Sequence, residues 1–236
     1  MSSTLGEDKL LLPKLFARLS HDSIRNFRQI RALFEMLTLD AEFDESQLEL
    51  VKMINEIAKK GEYGFEGLER FANQIDVGDM ECELVFSDVL QSVQREFTDV
   101  SVTALDDLDF VLRFNPQALK SILVEVFSNA RKYCPERSSA ELKVGTSVDA
   151  RSSIRSIRLS AKSIGAGSYG LESLWLPYAR DSNVTHIEGY GVGLTIVAYL
   201  VAQSGGEITL DCEESSAFNV SWVLAEPAQL GLDRTA

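Results

Sequence analysis

Hydrophobic residues in the first third of the chain recur every three or four positions, which predicts two long amphipathic helices. We expect the first over about Asp8–Leu39 and the second over about Glu45–Gln74, with Asp44 or Ser46 as the cap of the second. Two such helices joined by a short acidic turn form an antiparallel hairpin. A single hairpin leaves part of each apolar stripe uncovered, so two copies are expected to pair as a four-helix bundle.

The pattern changes after about residue 75, where shorter segments with helical or strand-like periodicity follow one another. Helices are predicted at 84–97, 116–134 and 192–203, and strands at 110–114, 141–147, 153–162, 207–211 and 218–224. This order predicts an α+β chain, with an α/β sandwich of a mixed sheet and helices on one face after the hairpin. We place the domain boundary so that residues 1–78 form the hairpin and residues 79–236 the second domain.

The charge and composition exclude several functions. The formal net charge of −13 disfavours binding to nucleic acid or to anionic membrane surfaces. No apolar run approaches the roughly 20 residues of a membrane span, and the N-terminus shows no signal-peptide pattern, so a cytoplasmic location is expected. With only two histidines and three scattered cysteines, neither a histidine-rich metal site nor a disulfide framework is predicted.

His21 and the adjacent Asp22 are the first residues with a chemical use. Helical spacing places His21 beside the apolar stripe, where its ring is partly exposed. A neighbouring carboxylate can orient an imidazole through one nitrogen and accept its proton, which makes the other nitrogen a better nucleophile. Taken alone, the pair is better explained as a surface histidine beside an acid.

A second group lies on the predicted helix 116–134, where Glu125, Asn129 and Lys132 share one face. A carboxylate, an amide oxygen and an ammonium group suit Mg²⁺ together with phosphate oxygens. A solvated polar face of an amphipathic helix would show the same spacing.

A glycine-rich segment, Gly189–Leu194, precedes the predicted helix 192–203. Glycines at alternate positions let backbone N–H groups approach phosphates, and the helix N-terminus adds a partial positive charge. A flexible turn is the alternative explanation. The polar segment before it, Asp181–Glu188, is predicted to be a mobile lid.

Together these segments resemble, in order and spacing, the sequence boxes of two-component sensor histidine kinases. Leu19–Asp22 resembles the phospho-acceptor box, particularly its phytochrome-like variants. Asn115–Tyr133 resembles the N box, Leu174–Arg180 the F box, and Gly189–Leu194 the second glycine box. The resemblance implies a dimerisation and phosphotransfer hairpin followed by a Bergerat-type ATPase domain of the gyrase, Hsp90 and histidine kinase class (GHKL).

The resemblance also implies roles for individual residues. His21 and Asp22 would be catalytic, with His21 phosphorylated from ATP, and Asn129 would hold Mg²⁺. The residues implied to contact ATP are Glu125, Asn129, Lys132, Tyr133, Ser163, Gly165, Gly167, Gly189, Gly191, Gly193 and Leu194.

Two positions depart from the family pattern. Aligning Gly165 and Gly167 with the first glycine box places Ser163 where the family has an aspartate that accepts the adenine amino group. Losing that charged acceptor costs on the order of 1.5–3 kcal/mol, about ten- to a hundredfold in affinity. Arg25 stands where the family has Thr or Asn, and Asn26 where it has Pro. In the family, that Thr or Asn positions the water that dephosphorylates a response regulator.

Three functions follow from these observations. The first is a histidine kinase that phosphorylates His21 from ATP with Mg²⁺ and transfers the phosphoryl group to a response-regulator aspartate. The second is a phosphorelay carrier that uses His21 without ATP, and the third is a pseudokinase scaffold, with ATP bound weakly or not at all. An anti-sigma-type kinase fits less well because those proteins lack the histidine-bearing hairpin. Expected partners are a second copy of the chain, a receiver domain and a separate sensor protein.

Overall fold

The structure is a computed structural model of the chain. It describes residues 4–40, 43–77, 80–134, 139–148, 154–162, 176, 178, 189–204, 206–211 and 217–225. The chain divides into two compact units, Met1–Asp76 and Val77–Ala236. Each unit is described by itself.

The first unit is a pair of long helices, α1 (Thr4–Asp40) and α2 (Glu45–Ile75). Asp44 caps α2 through a capping box, because its carboxylate accepts from the Gln47 N–H at 2.8 Å while the Gln47 side chain accepts from the Asp44 N–H at 3.1 Å. The hydrogen bond from the Gln47 N–H, followed by one from the Ser46 hydroxyl at 3.0 Å, lowers the pKa of the Asp44 carboxyl group. The predicted helices and the cap at Asp44 agree with these elements.

The two helices pack antiparallel along part of their apolar stripes. The rings of Phe27 on α1 and Phe65 on α2 lie 5.9 Å apart, centroid to centroid. Gly61 provides the space for the Phe27 ring, since a Cβ at Gly61 would overlap three of its carbon atoms. A glycine in mid-helix costs about 0.5–1 kcal/mol relative to alanine, and at this position the close approach of an aromatic ring offsets that cost.

An ion-pair network joins the hairpin across its surface. Arg28 Nε lies 2.6 Å from Glu62 Oε1, and Arg31 Nη1 lies 2.8 Å from Glu62 Oε2. The second nitrogen of Arg28 reaches Glu66 at 3.0 Å. The hydrogen bond from Arg28 is the main cause of the lowered pKa of the Glu62 carboxyl group.

The second unit begins at Val77 and combines two sheets with three helices in its described residues. Its elements are β1 (Cys82–Val85), α3 (Phe86–Gln94), β2 (Val100–Ala104), β3 (Val111–Phe114), α4 (Pro116–Lys132), β4 (Ala140–Val148), β5 (Ile154–Lys162), α5 (Gly193–Gln203), β6 (Glu207–Asp211) and β7 (Ala217–Ala225). Strands β1 and β3 pair antiparallel. The main sheet has the order β2-β4-β5-β7-β6, with β2 and β4 parallel and the other neighbours antiparallel.

One face of the main sheet is buried under helices. Val144 of β4 pairs with Leu159 of β5, and both are buried, whereas the neighbouring Lys143 and Arg158 are exposed. Helix α4 contacts β2, β4 and β5 on the buried side, and α3 and α5 pack against α4. The predicted α+β fold, a helical hairpin followed by a mixed sheet with helices on one face, is therefore confirmed.

The segment Leu84–Phe97 was predicted to be entirely helical, and its first two residues disprove that. Leu84 and Val85 belong to β1, where they pair with Leu112 and Val111 of β3. Strand β2 had no counterpart among the predicted elements. Both strands are short, and their ladder partners lie far along the chain, so local periodicity carries little of the information that selects them.

Candidate functional site

His21 lies in the middle of α1 with its side chain 71% exposed. Its Nδ1 atom is 3.5 Å from Oδ1 of Asp22, whose side chain is 66% exposed. The carboxylate thus stands beside one ring nitrogen and leaves Nε2 as the nitrogen that can meet an incoming group. The structure brings the two predicted catalytic residues together on an accessible surface.

Two residues near His21, Ser20 and Ile24, lie on the buried side of α1. Ser20 is fully buried, and its hydroxyl donates to the carbonyl oxygen of Phe16 at 2.7 Å. Ile24 is also buried. Successive residues of a helix are turned by about 100°, so a buried Ser20 directs His21 outward, beside the packed stripe as the spacing predicted.

An open groove of about 490 Å³ lies beside His21 on the hairpin. Its α1 wall carries residues at helical spacing, and α2 supplies two carboxylates. The lining residues are His21, Ile24, Arg25, Arg28, Gln29, Ala32, Glu66 and Glu69.

The second group of predicted residues lies on α4, whose start is fixed by Asn115. The side-chain oxygen of Asn115 accepts from the N–H groups of Gln117 and Ala118 at 2.9 and 3.0 Å. Its amide nitrogen donates to the carbonyl oxygen of Val77 at 3.0 Å. Pro116 occupies the first turn, where the missing N–H is harmless. Sequence reasoning placed Asn115 in a motif without assigning it this capping role, which the Asn-Pro pair at a helix start indicates.

The face of α4 that carries Glu125, Asn129 and Lys132 lies against the glycine segment. A Cβ on Gly193 would come 2.6 Å from Glu125 Oε2 and 3.9 Å from Asn129 Nδ2. A Cβ on Gly189 would lie 3.9 Å from Lys132 Nζ. Glu125 is only 2% exposed, while Asn129 and Lys132 are half-buried. The two motifs, separated by more than fifty residues in sequence, therefore form one surface.

The glycine segment has a backbone shape that suits phosphate binding. Gly191 has a φ of 69°, in the left-handed region that glycine adopts readily. Its carbonyl oxygen accepts from the N–H of Tyr178 at 2.9 Å. Tyr178 also has a positive φ of 66°, and partial burial raises the pKa of its hydroxyl. This contact with the predicted F-box segment is one that spacing alone did not reveal.

Helix α5 begins directly after this turn, at Gly193. Its N-cap residue, Val192, is buried and makes no side-chain capping hydrogen bond. The first turn of α5 consequently keeps the amide-donor character of a helix N-terminus. Leu194 is half-buried in this first turn.

The remaining predicted site residues lie at the end of α4 or outside the described part of the chain. Tyr133 ends α4, where its N–H donates to the Asn129 carbonyl oxygen at 2.9 Å. Ser163, Gly165 and Gly167 lie outside the described residues, as does the predicted lid, Asp181–Glu188. Their roles stay predictions.

The surface formed by α4 and the glycine segment carries the kinds of groups that bind a phosphate together with Mg²⁺. Asn129 offers an amide oxygen, Lys132 an ammonium group, and the turn at Gly191 backbone amides. Among the described residues there is no cluster of three or more His, Cys, Asp or Glu side chains able to hold a metal ion by itself. A metal here would need phosphate oxygens as additional ligands, which is how Mg²⁺ binds in nucleotide sites.

None of the helices in the described part of the chain combines the length and the apolar character that a bilayer crossing requires.

The chain is similar in sequence to one known protein family and to two curated proteins. Residues 114–227 match the family described as histidine kinase-, DNA gyrase B-, and HSP90-like ATPase. The chain is 34% identical over 119 residues to the autoinducer 2 sensor kinase/phosphatase LuxQ from two strains of Vibrio vulnificus. That alignment covers 48% of this chain and 14% of LuxQ, so the chain matches only a small part of the curated relatives.

Solved structures share the fold at low sequence identity. Full-length ShkA, determined in complex with AMPPNP, superposes with a TM-score of 0.58 at 15% identity, covering 91% of this chain and 46% of ShkA. The histidine kinase AdeS of Acinetobacter baumannii gives a TM-score of 0.54 at 15% identity, covering 86% of this chain and 96% of AdeS. Residues 114–227 thus match the model of the histidine kinase-, DNA gyrase B-, and HSP90-like ATPase family, and the chain as a whole has the fold seen in ShkA and in the histidine kinase AdeS.

Proposed function

We propose that this chain is the catalytic core of a two-component histidine kinase. It phosphorylates His21 from ATP with Mg²⁺ and transfers the phosphoryl group to an aspartate of a response regulator. One observation carries the proposal: a chain with an ATPase domain of this family also presents, on a helical hairpin, an exposed histidine whose Nδ1 lies 3.5 Å from an adjacent carboxylate.

The hairpin supplies the nucleophile. In the neutral ring with the proton on Nδ1, Nε2 carries the lone pair that attacks the γ-phosphorus of ATP. The new Nε2–P bond forms as the bond from phosphorus to the ADP oxygen breaks, and Asp22 accepts the Nδ1 proton. The carboxylate prevents positive charge from building up on the ring, which is the work of a general base.

The second unit supplies the phosphate half of a nucleotide site. Lys132 and the amides around Gly191 and Gly193 bind phosphate oxygens, and Asn129 orients the metal. Mg²⁺, when bound there, neutralises charge on the phosphates. The buried Glu125 fixes the approach of Gly193 and thereby the spacing between α4 and the glycine segment. Tyr133 and Leu194 border this surface.

The adenine half is weaker in this proposal. With Ser163 in place of the family's aspartate, binding depends more on the phosphates than on the base, so GTP should compete well with ATP. Ser163→Asp should tighten ATP binding and restore a preference for adenine. Strong, base-selective ATP binding by the unchanged protein would contradict this assignment of Ser163.

The decisive experiment is a titration with ATP and Mg²⁺ followed by a test for acid-labile phosphate. We expect weak ATP binding and labelling that is abolished in His21→Gln without loss of fold. Asp22→Asn should slow the labelling by roughly 10²–10⁴-fold, as expected for loss of a general base. Labelling that persists in His21→Gln would refute the choice of phospho-acceptor.

The departure at Ser163 favours one alternative function, a histidine phosphotransfer protein. In that case ATP does not bind at millimolar concentration, but His21 still accepts phosphate from a phosphorylated receiver domain. Absence of both activities would leave a scaffold that binds kinases or regulators without phosphotransfer.

The hairpin is proposed to pair with a second copy of the chain. Large apolar side chains remain exposed on both helices, among them Leu33 at 60%, Met36 at 64% and Ile57 at 60%. Burying such a stripe against its equivalent gives a four-helix bundle and removes apolar area from water. Light scattering should give a dimer, and a stable 26.2 kDa monomer at high concentration would overturn this.

A further inference from the structure

We propose that Arg25 contacts the phosphoryl group on His21 and retards its loss to water. The inference rests on the proposed function, because it concerns the phosphorylated form of His21. It follows from the position of Arg25, the absence of an ion pair between Arg25 and any described residue, and the charges of the groove beside His21.

Arg25 stands four residues after His21, so the two Cβ atoms are neighbours on α1, about 5–6 Å apart. Both side chains line the same groove, and both are exposed. Side chains on a helix lean toward its N-terminus, which directs the long side chain of Arg25 back over the turn that holds His21. A phosphoryl group on Nε2 would lie within reach of this guanidinium.

The other basic residue of the groove is already engaged. Arg28 is held by Glu62 at 2.6 Å and by Glu66 at 3.0 Å. Arg25, in contrast, makes no ion pair with any residue in the described part of the chain. It is the arginine of this wall that can bind a new anion without breaking an existing salt bridge.

The groove also contains a negative charge that favours one position of the phosphoryl group over another. Glu69 lies on the α2 wall, and the charge of Glu66 is balanced by Arg28. A phosphoryl dianion is repelled by Glu69 and attracted by Arg25, so it settles on the α1 side. Guanidinium groups bind phosphoryl oxygens through charge-assisted, often bidentate hydrogen bonds.

Such a contact opposes hydrolysis. In hydrolysis, a water oxygen forms a bond to phosphorus, the Nε2–P bond breaks, and the protons of water end on the imidazole and the released phosphate. The hydrogen bonds from the guanidinium to the phosphoryl oxygens stabilise the phosphorylated state, and these contacts must be given up as the Nε2–P bond breaks.

The test measures the lifetime of the phosphorylated protein independently of ATP. The full chain is phosphorylated with phosphoramidate, a small donor whose P–N bond breaks to release ammonia. The donor is then removed, and loss of phosphate is followed by intact mass spectrometry. We expect Arg25→Gln to shorten the half-life about 1.5-fold to fivefold, the range of an exposed ion pair, and Arg25→Lys to recover part of the loss.

Arg18→Gln is the matched control, since Arg18 lies one turn on the other side of His21, is exposed and does not line the groove. Its half-life should stay at the wild-type value. High salt should shorten the half-life of the wild type toward that of Arg25→Gln and leave the variant nearly unchanged.

Equal half-lives of wild type and Arg25→Gln, or equal losses in Arg25→Gln and Arg18→Gln, would overturn the inference while leaving the proposed function intact. If His21 takes no phosphate from phosphoramidate, from ATP or from a receiver domain, the proposed function itself fails, and the role of Arg25 fails with it.

Discussion

A methyl group added at Gly193 probes the closest approach between α4 and the glycine segment. The Cβ of Gly193→Ala would lie 2.6 Å from Glu125 Oε2 and 3.5 Å from its Cδ. Glu125 is only 2% exposed, so its carboxylate has no open solvent into which to move. Alanine at this position must therefore displace a buried carboxylate or shift the start of α5.

The size of the effect follows from opposing contributions. Forcing a methyl group into a packed site costs about 1–3 kcal/mol, and the better helix propensity of alanine returns at most about 1 kcal/mol. We expect a net loss of about 1–2 kcal/mol in the free energy of unfolding. For a unit of this size that lowers the melting temperature by about 2–8 °C. Binding of ATP with Mg²⁺ should also weaken, because Asn129 lies on the same face.

Thermal unfolding followed by circular dichroism gives the measurement, and two further variants isolate its cause. Gly189→Ala is the control in the same segment, since its Cβ would make only an ordinary contact, 3.9 Å from Lys132 Nζ. It should change stability by less than about 0.5 kcal/mol. In a Glu125→Ala background, the cost of Gly193→Ala should nearly vanish, because the colliding carboxylate is gone. A Gly193→Ala protein as stable as the wild type, or an equal cost in both backgrounds, would refute the reasoning.

Three other regions give predictions that unfolding experiments can check. Gly61→Ala should lose about 1–3 kcal/mol by colliding with the Phe27 ring, whereas Gly64→Ala, with nothing within 4 Å of its Cβ, should gain about 0.5–1 kcal/mol; equal effects would contradict the packing. The ion pairs that lower the pKa of Glu62 stabilise the hairpin as long as this carboxyl group is ionised. Their stabilisation is fully present at pH values above the ordinary carboxyl pKa of 4.5, and it is lost as the pH falls through the lowered pKa. The stability difference between wild type and Glu62→Gln should therefore narrow on acidification, and a constant difference would exclude the ion-pair network as its source. Asn115→Ala removes two cap hydrogen bonds at the start of α4 and should cost about 1–2 kcal/mol, while a neutral result would show that the cap contributes nothing.

The long helices could be predicted from the sequence because their hydrophobic periodicity and capping residues are local features of the chain. Helices α1, α2 and α4 begin and end close to the predicted positions, since each carries an apolar stripe, and α2 and α4 also follow a capping side chain. Strand β6, Glu207–Asp211, coincides with its prediction because alternation and the flanking turn residues agree. The spacing also placed Glu125, Asn129 and Lys132 on one helix face before any contact was known.

Short strands needed the tertiary structure. Leu84 and Val85 precede a helical segment, and their apolar character continues its periodic pattern. They are extended because they pair with β3. Gly61 shows the same limit, because the sequence indicates only a weak point in α2. The close Phe27 ring that accounts for a glycine there comes from another helix.

The sequence by itself determined the two helical stripes, the exposed His21 beside Asp22, and the residue types of each candidate motif. Only the tertiary structure decided that Glu125 stands against Gly193 and Lys132 near Gly189, and that Arg25 shares a groove with His21. The physical reason is that periodicity fixes which face of an element is apolar, whereas the partner of a polar face depends on contacts between residues distant in the chain. Those contacts form only when the whole core packs, so no local pattern encodes them.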